Sequence, residues 1–376
     1  MFREMFRGVD LRAGNSETGN SSVWTLVHGF VYDFRPFPKE ALLVLASKFT
    51  RYHVLFLPTL LVVFALALGD SALSQVAPSH GWTQLNPLTP FPARAAFASA
   101  YDPISKKVIV FGGTDEVNQF DDTWTFDGTT WTQISTSVTP GARADATMAF
   151  DVKTRKLVMF GGYRGFLFLN DTWLWDGATM TWTQAQPTTV PTGATNPSLF
   201  TDPMNGHVDL FGGYQGRFYS RSMYQWTGSD WLLLNPSTTP YPRAGAVATL
   251  DYARRNVVMF GGISDNWITQ NTWTWDGKNW TEQQPANQPP PLYFTIGGYD
   301  PVAHVVVVFG GGSEGVDQST TWTWDGSNWH QRFPPSSPPA RELFGTVWYP
   351  PAGELLVFGG DLFSTNAVYG DTWSLR

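Results

Sequence analysis

Four arginines, Arg94, Arg143, Arg243 and Arg341, recur at one phase of a repeating chain, each just ahead of a run of small and apolar residues. A guanidinium presents a rigid fork of donors that matches a carboxylate or a sulfate. A ring of such forks at one mouth would therefore hold an acidic group. The same side chains can instead bond the carbonyls of neighbouring loops, and at the level of sequence both readings stand. Gly193 and Leu292 occupy the position in the two copies without arginine. Loop aromatics form a second set: Tyr214 and Trp267, with Phe166, Tyr219, Phe363 and Tyr369. Flat apolar faces beside Asn, Gln and Ser suit sugar rings, and they suit equally the packing of their own loops. The candidate ligand-binding residues are thus Arg94, Arg143, Arg243, Arg341, Tyr214 and Trp267; no residue is assigned a catalytic role. Loop acids form a third set, Asp115, Glu116, Glu314, Asp317 and Asp361. Glycoside hydrolysis would need two carboxyls about 5–9 Å apart, a distance that only a folded chain supplies.

Composition narrows the chemistry. The chain of 376 residues has no cysteine, which excludes disulfides, thiolate metal sites, iron–sulfur clusters and thiol catalysis. His207, His304 and His330, with His80 ahead of them, form no His-x-x-x-His pair, so no metal and no cofactor are expected. A net charge of −7 without a basic stripe argues against nucleic acid as a partner. Charged residues make up 15% of the chain and aromatic residues another 15%, against about 25% charge in an average soluble domain. Much of the chain must therefore be sheet that is buried on both faces.

The N-terminal stretch is of a different kind. Residues 54–68, VLFLPTLLVVFALAL, are the one long apolar run; Lys48 and Arg51 precede it and small residues follow. That layout is expected of a signal peptide or membrane anchor over residues 54–77. Residues 1–53 are too long for an n-region, and three readings stand: a misassigned start, the tail of an uncleaved anchor, or a long leader. A secreted, periplasmic or envelope location follows from any of them, with membrane contact only through the anchor.

The candidate residues must be positioned by residues 78–376, and here the chain repeats. Phe-Gly-Gly begins at Phe111, Phe160, Phe211, Phe260, Phe309 and Phe358, each time closing a short apolar run such as VIVFGG or LLVFGG. A buried strand needs such a run, and paired glycines let the chain turn sharply after it. About a dozen residues on comes DTWTFDG (122–128), with counterparts at 171, 222, 271, 320 and 371. Its alternate aromatic residues share one strand face, and Asp-Gly signals a hairpin. A further tryptophan then opens another strand: Trp131, Trp182, Trp231, Trp280 and Trp329. Each unit therefore holds four strands, A to D from the inside outward. The last unit ends inside its strand C, while Gly81–Leu85 ahead of the first unit reads as the missing strand D. The expected fold is all-β: a six-bladed propeller whose sixth blade is closed by an N-terminal strand, which removes an open sheet edge.

The Phe-Gly-Gly doublet, the D-T-W-x-[FW]-D-G strand and the trailing tryptophan resemble Kelch repeats, in particular bacterial ones related to the propeller of galactose oxidase. The resemblance covers residues 81–376. Galactose oxidase chemistry, which the resemblance would imply, needs a copper site with a Tyr–Cys cross-link, and a chain without cysteine excludes it. The expected function is a monomeric binding module for a carbohydrate or a protein. It would act through the face where the variable B–C loops and the proline-rich D–A connections emerge. The alternative is a metal-free enzyme acting on sugars, similar to the sialic-acid mutarotases among six-bladed Kelch proteins.

Overall fold

A computed structural model describes residues 81–265 and 267–376; the leader and the apolar segment read from the sequence lie outside them. Six four-stranded antiparallel sheets account for nearly all the strand structure, joined by short two-stranded ribbons in some B–C loops. Blade 1 shows the pattern, with strand A at Ala98–Asp102, B at Lys107–Phe111, C at Thr123–Phe126 and D at Trp131–Ile134. Strands A of the other blades are Thr147–Asp151, Ser198–Thr201, Val247–Asp251, Ile296–Asp300 and Gly345–Tyr349. Blade 6 is completed as expected: Trp82–Leu85 pairs with Thr372–Leu375, Trp82 opposite Leu375 and Leu85 opposite Thr372. The first described strand and the last thus share one sheet.

The strands B explain the apolar runs. Val108 to Phe111 and their counterparts are buried on both faces. One face packs on the preceding blade and the other on the following one, so clusters such as that of Phe111, Met148, Met159 and Trp173 lie between blades. At the end of strand B both glycines have positive φ, +70° at Gly112 and +94° at Gly113. A Cβ at either would lie 2.6 Å from a backbone oxygen, so only glycine fits. The second glycine of each pair then donates its N–H to a carbonyl of the next blade: Gly113 to Arg143, Gly162 to Ala194, and so on round to Gly360 and Arg94. The doublet ends a strand and ties two blades with the same two residues.

A second belt runs outside the first. The strand-D tryptophan of each blade donates its indole N–H to strand C of the preceding blade. Trp131 bonds Thr372 at 3.1 Å, Trp182 bonds Thr123, Trp231 bonds Thr172 at 2.8 Å, Trp329 bonds Thr272 and Trp82 bonds Thr321. In blade 3 the threonine is replaced by Met223, and Trp280 meets its sulfur. The threonine of D-T-W is therefore an acceptor for the neighbouring blade. Thr172→Val keeps the shape but leaves the buried Trp231 N–H without an acceptor, at an expected cost of about 1–3 kcal/mol. Urea unfolding measures it, and an unchanged midpoint would mean that the bond contributes nothing.

Candidate functional site

The four arginines begin at the expected place, ahead of strand A, but their guanidiniums turn into the scaffold and away from the channel mouth. All four are 2% exposed or less. Arg143 bonds both oxygens of Asp171, at 2.7 and 2.8 Å, and the carbonyl of Gly161 at 3.1 Å. Arg94 makes the same contacts with Asp122 and Gly112, and Arg341 with Asp371 and Gly359. Each carboxylate also accepts the indole N–H of the tryptophan two residues on, at 2.7 Å. The arginine thus clasps the start of strand C and the first glycine of its own blade. Arg94 lies over the Phe120 ring and Arg341 over the Tyr369 ring, each at 4.3 Å.

Burial alone would push the Asp171 carboxyl up, but the bond and the charge of Arg143 outweigh it and hold the group below its usual range. Arg243 differs. Its partner is the neutral Asn271 at 2.8 Å, and Nη2 is buried without a partner. Burial lowers this guanidinium to about 10, although Glu282 acts to raise it. The arginine position is correctly placed in blade 5, where Leu292 stands, but not in blade 3. There Ala194 accepts the bond from Gly162 that an arginine carbonyl accepts elsewhere. The equivalent residue is Ala194 and not Gly193.

The loop aromatics divide. Tyr214 packs its own loop and the neighbouring one: its hydroxyl donates to the Gly216 carbonyl at 2.7 Å, and its ring meets Tyr219 and, in the loop of blade 2, Phe168. Trp267 is 53% exposed. It belongs to a set, because each B–C loop folds back as a narrow ribbon and lifts its tip off the scaffold. Val117, Phe166, Leu167, Phe218, Trp267 and Val316 are exposed there, on five successive blades, with Phe166 at 88%. Of the loop acids, Asp115 caps its own turn through the amides of Val117 and Asn118. Asp317 reaches blade 6, where it accepts the Phe363 amide at 2.8 Å, and Asp361 is fully buried. Burial, with Glu342, Asp317 and Asp361 nearby, pushes the Tyr293 hydroxyl up. The described histidines are engaged: His207 with Asp151 and His304 with Tyr299 at A–B turns, and His330, in strand D, with Asp325.

The propeller axis holds what the sequence did not announce. Ala96, Asp145, Asn196, Gly245, Phe294 and Leu343 are equivalent, one per blade, and all lie in the left-handed region with φ between 49° and 61°. Their amides link neighbours around the axis: Asp145 donates to Ala96 at 2.7 Å, Asn196 to Asp145, Gly245 to Asn196, Phe294 to Gly245 and Ala96 to Leu343. Such backbone costs roughly 1–3 kcal/mol at a non-glycine residue, and these bonds hold it. The six residues enclose a neck of about 110 Å³ at the B–C/D–A end. Beyond it, strands A and the A–B turns surround a chamber of about 890 Å³ that opens at the other end. Its wall carries hydroxyls, as at Ser99, Thr201 and Thr346, and aromatic rings, as at Phe150, Tyr252 and Trp348. The larger concavity is therefore on the face opposite the one expected from loop variability.

Residues 76–225 match the family model described as the KLHDC2/KLHL20/DRC7 Kelch-repeats domain. The solved structure of YjhT superposes with a TM-score of 0.59 at 16% identity, over 76% of this chain and 95% of that one. No curated protein matches the sequence. With six phased repeats closed into a ring, the chain has the fold of a six-bladed Kelch-type β-propeller. This is a fold that serves binding modules and enzymes alike, so its function must be argued from its own surface.

Proposed function

We propose that this chain is a binding module that holds a protein partner on its B–C/D–A loop face. The observation that supports it is the row of exposed apolar side chains at the loop tips of five successive blades, Val117 to Val316. Exposed apolar side chains gathered on one face of a rigid scaffold suit an interaction site, and the aromatic members are among the residue types that carry most interface energy. Aliphatic tips beside the aromatic ones favour a protein over a sugar. The arginines that would have gripped a sugar acid are occupied within the blades, which weakens the enzymatic alternative. The apolar segment 54–68 supports export, so the partner would be met at the envelope or beyond it.

Phe166→Ser, Phe218→Ser and Trp267→Ser combined test the reading, because the side chains are exposed and the blades should fold unchanged. Loss of one central aromatic typically costs about 2 kcal/mol or more of binding, roughly thirtyfold in Kd. Partners retained from envelope extracts by the wild type should be lost by a triple variant of unchanged melting temperature. Equal retention by both proteins would move the site off this face.

A further inference from the structure

The neck of the channel has two unlike walls. Because blades 2 and 5 face each other across a six-bladed ring, as do blades 3 and 6, Asp145 and Asn196 stand opposite Phe294 and Leu343. The positions between them are the small Ala96 and Gly245. Gly245 is required there: a Cβ would lie 2.5 Å from the Phe294 ring, which extends across it. One side of the cavity is thus polar, the other apolar, and the gaps are kept open.

The polar wall is only partly satisfied. The Asp145 side chain belongs to a residue that is 8% exposed, and its Oδ1 has no hydrogen-bond partner. The Thr147 Oγ1, in the same cavity, has none either, while the Asn196 carboxamide lies beside the Asp145 carboxyl and acts to lower it. Among the described residues Asp145 is the one ionisable side chain lining the neck, and no Lys, Arg or His of theirs lines it. Buried polar groups in native proteins are nearly always paired, and a carboxylate oxygen and a hydroxyl that share one cavity without a protein partner suit a ligand that donates hydrogen bonds. At about 110 Å³ the space far exceeds the roughly 10–15 Å³ that one water requires. A carboxylate calls for positive charge and for donors. A bare metal ion would leave the Phe294 and Leu343 wall without a role, and a neutral alcohol would leave the charge uncompensated. A primary ammonium supplies three donors, and the Asn196 carboxamide, turned about its terminal bond, offers an oxygen in the same place. Phe294 adds an aromatic face of the kind that attracts cations.

We propose that the neck is a binding site for a small primary amine with a short alkyl body, its ammonium on Asp145 and its chain against Phe294 and Leu343. The site is distinct from the loop tips and does not depend on a protein partner there.

Calorimetric titration of the full chain at pH 8 with n-propylammonium chloride tests it, with potassium chloride and 1-propanol as controls. Saturable binding of propylammonium alone is expected. Asp145→Asn removes the charge at nearly constant shape and should weaken that binding about tenfold or more. Leu343→Ala deepens the apolar wall and should move the preference toward n-pentylammonium. No binding of propylammonium, equal binding by Asp145→Asn, or equal binding of 1-propanol would overturn the proposal. Equal binding of potassium, lost in Asp145→Asn, would overturn it in favour of a metal-ion site.

Discussion

Arg143→Leu is expected to destabilise the propeller by about 3–5 kcal/mol, the usual consequence of removing one partner of a buried ion pair. The substitution leaves the Asp171 carboxylate with the Trp173 indole but without its cation, and it frees the carbonyl of Gly161, while that of Pro140 keeps its bond from Arg164. Leucine itself is tolerated at this position, since Leu292 fills it in blade 5 with Thr320 where an aspartate stands elsewhere. Adding Asp171→Thr should therefore return a large part of the loss, because the buried charge is then removed as well. A double-mutant cycle by urea unfolding should show strong coupling between the two sites. If the two costs simply add, the arginine stabilises through packing and the carboxylate is incidental.

Asp145→Asn should have the opposite sign, and only where the carboxylate is ionised. Burial raises the Asp145 carboxyl from 3.8 to about 6, with Glu116 adding to the rise and Asn196 opposing it. The folded chain therefore binds this proton more tightly than the unfolded chain does. The stability the group contributes is complete below about pH 3.8 and is lost as pH rises through about 6. Above that, the charged carboxylate costs the fold about 3 kcal/mol. The asparagine variant should accordingly melt above the wild type at pH 8, by about 5 °C. The difference should vanish near pH 4. A difference independent of pH would show that ionisation of Asp145 is not its source. Propylammonium should raise the wild type at pH 8 more than it raises the variant, which separates the cost of the buried charge from its use in binding.

Some of this was legible in residues read one after another. Six Phe-Gly-Gly doublets, the D-T-W strands and the tryptophans after them determine strand number, strand order and the split sixth blade. These are properties of contiguous segments: an apolar run long enough to be buried on both faces, a glycine where no Cβ fits, a hairpin signal. The structure added the second function of each feature, as when the D-T-W threonine proved to be the acceptor for the next blade's indole.

The arginines show where such reading stops, and also a signal that was there. Asp122, Asp171 and Asp371 accompany Arg94, Arg143 and Arg341; the asparagine of blade 4 accompanies Arg243, and blades 3 and 5 lack both charges. This covariation among repeats points to a partner within the blade, about 28 residues on. A fork of donors suits a ligand and a neighbouring strand equally well. Only the fold, by bringing Asp171 within 2.7 Å, chose between them. The neck was less legible still. Asp145 and Asn196 are unremarkable in sequence, being a polar pair among Ala96, Gly245, Phe294 and Leu343 at positions with no common residue type. They face the axis because six blades close into a ring and turn those six residues inward. Local pattern is set by neighbours along the chain, and so the sequence by itself determined the blades. What shares a cavity is set by closure over hundreds of residues, and that only the tertiary structure decided.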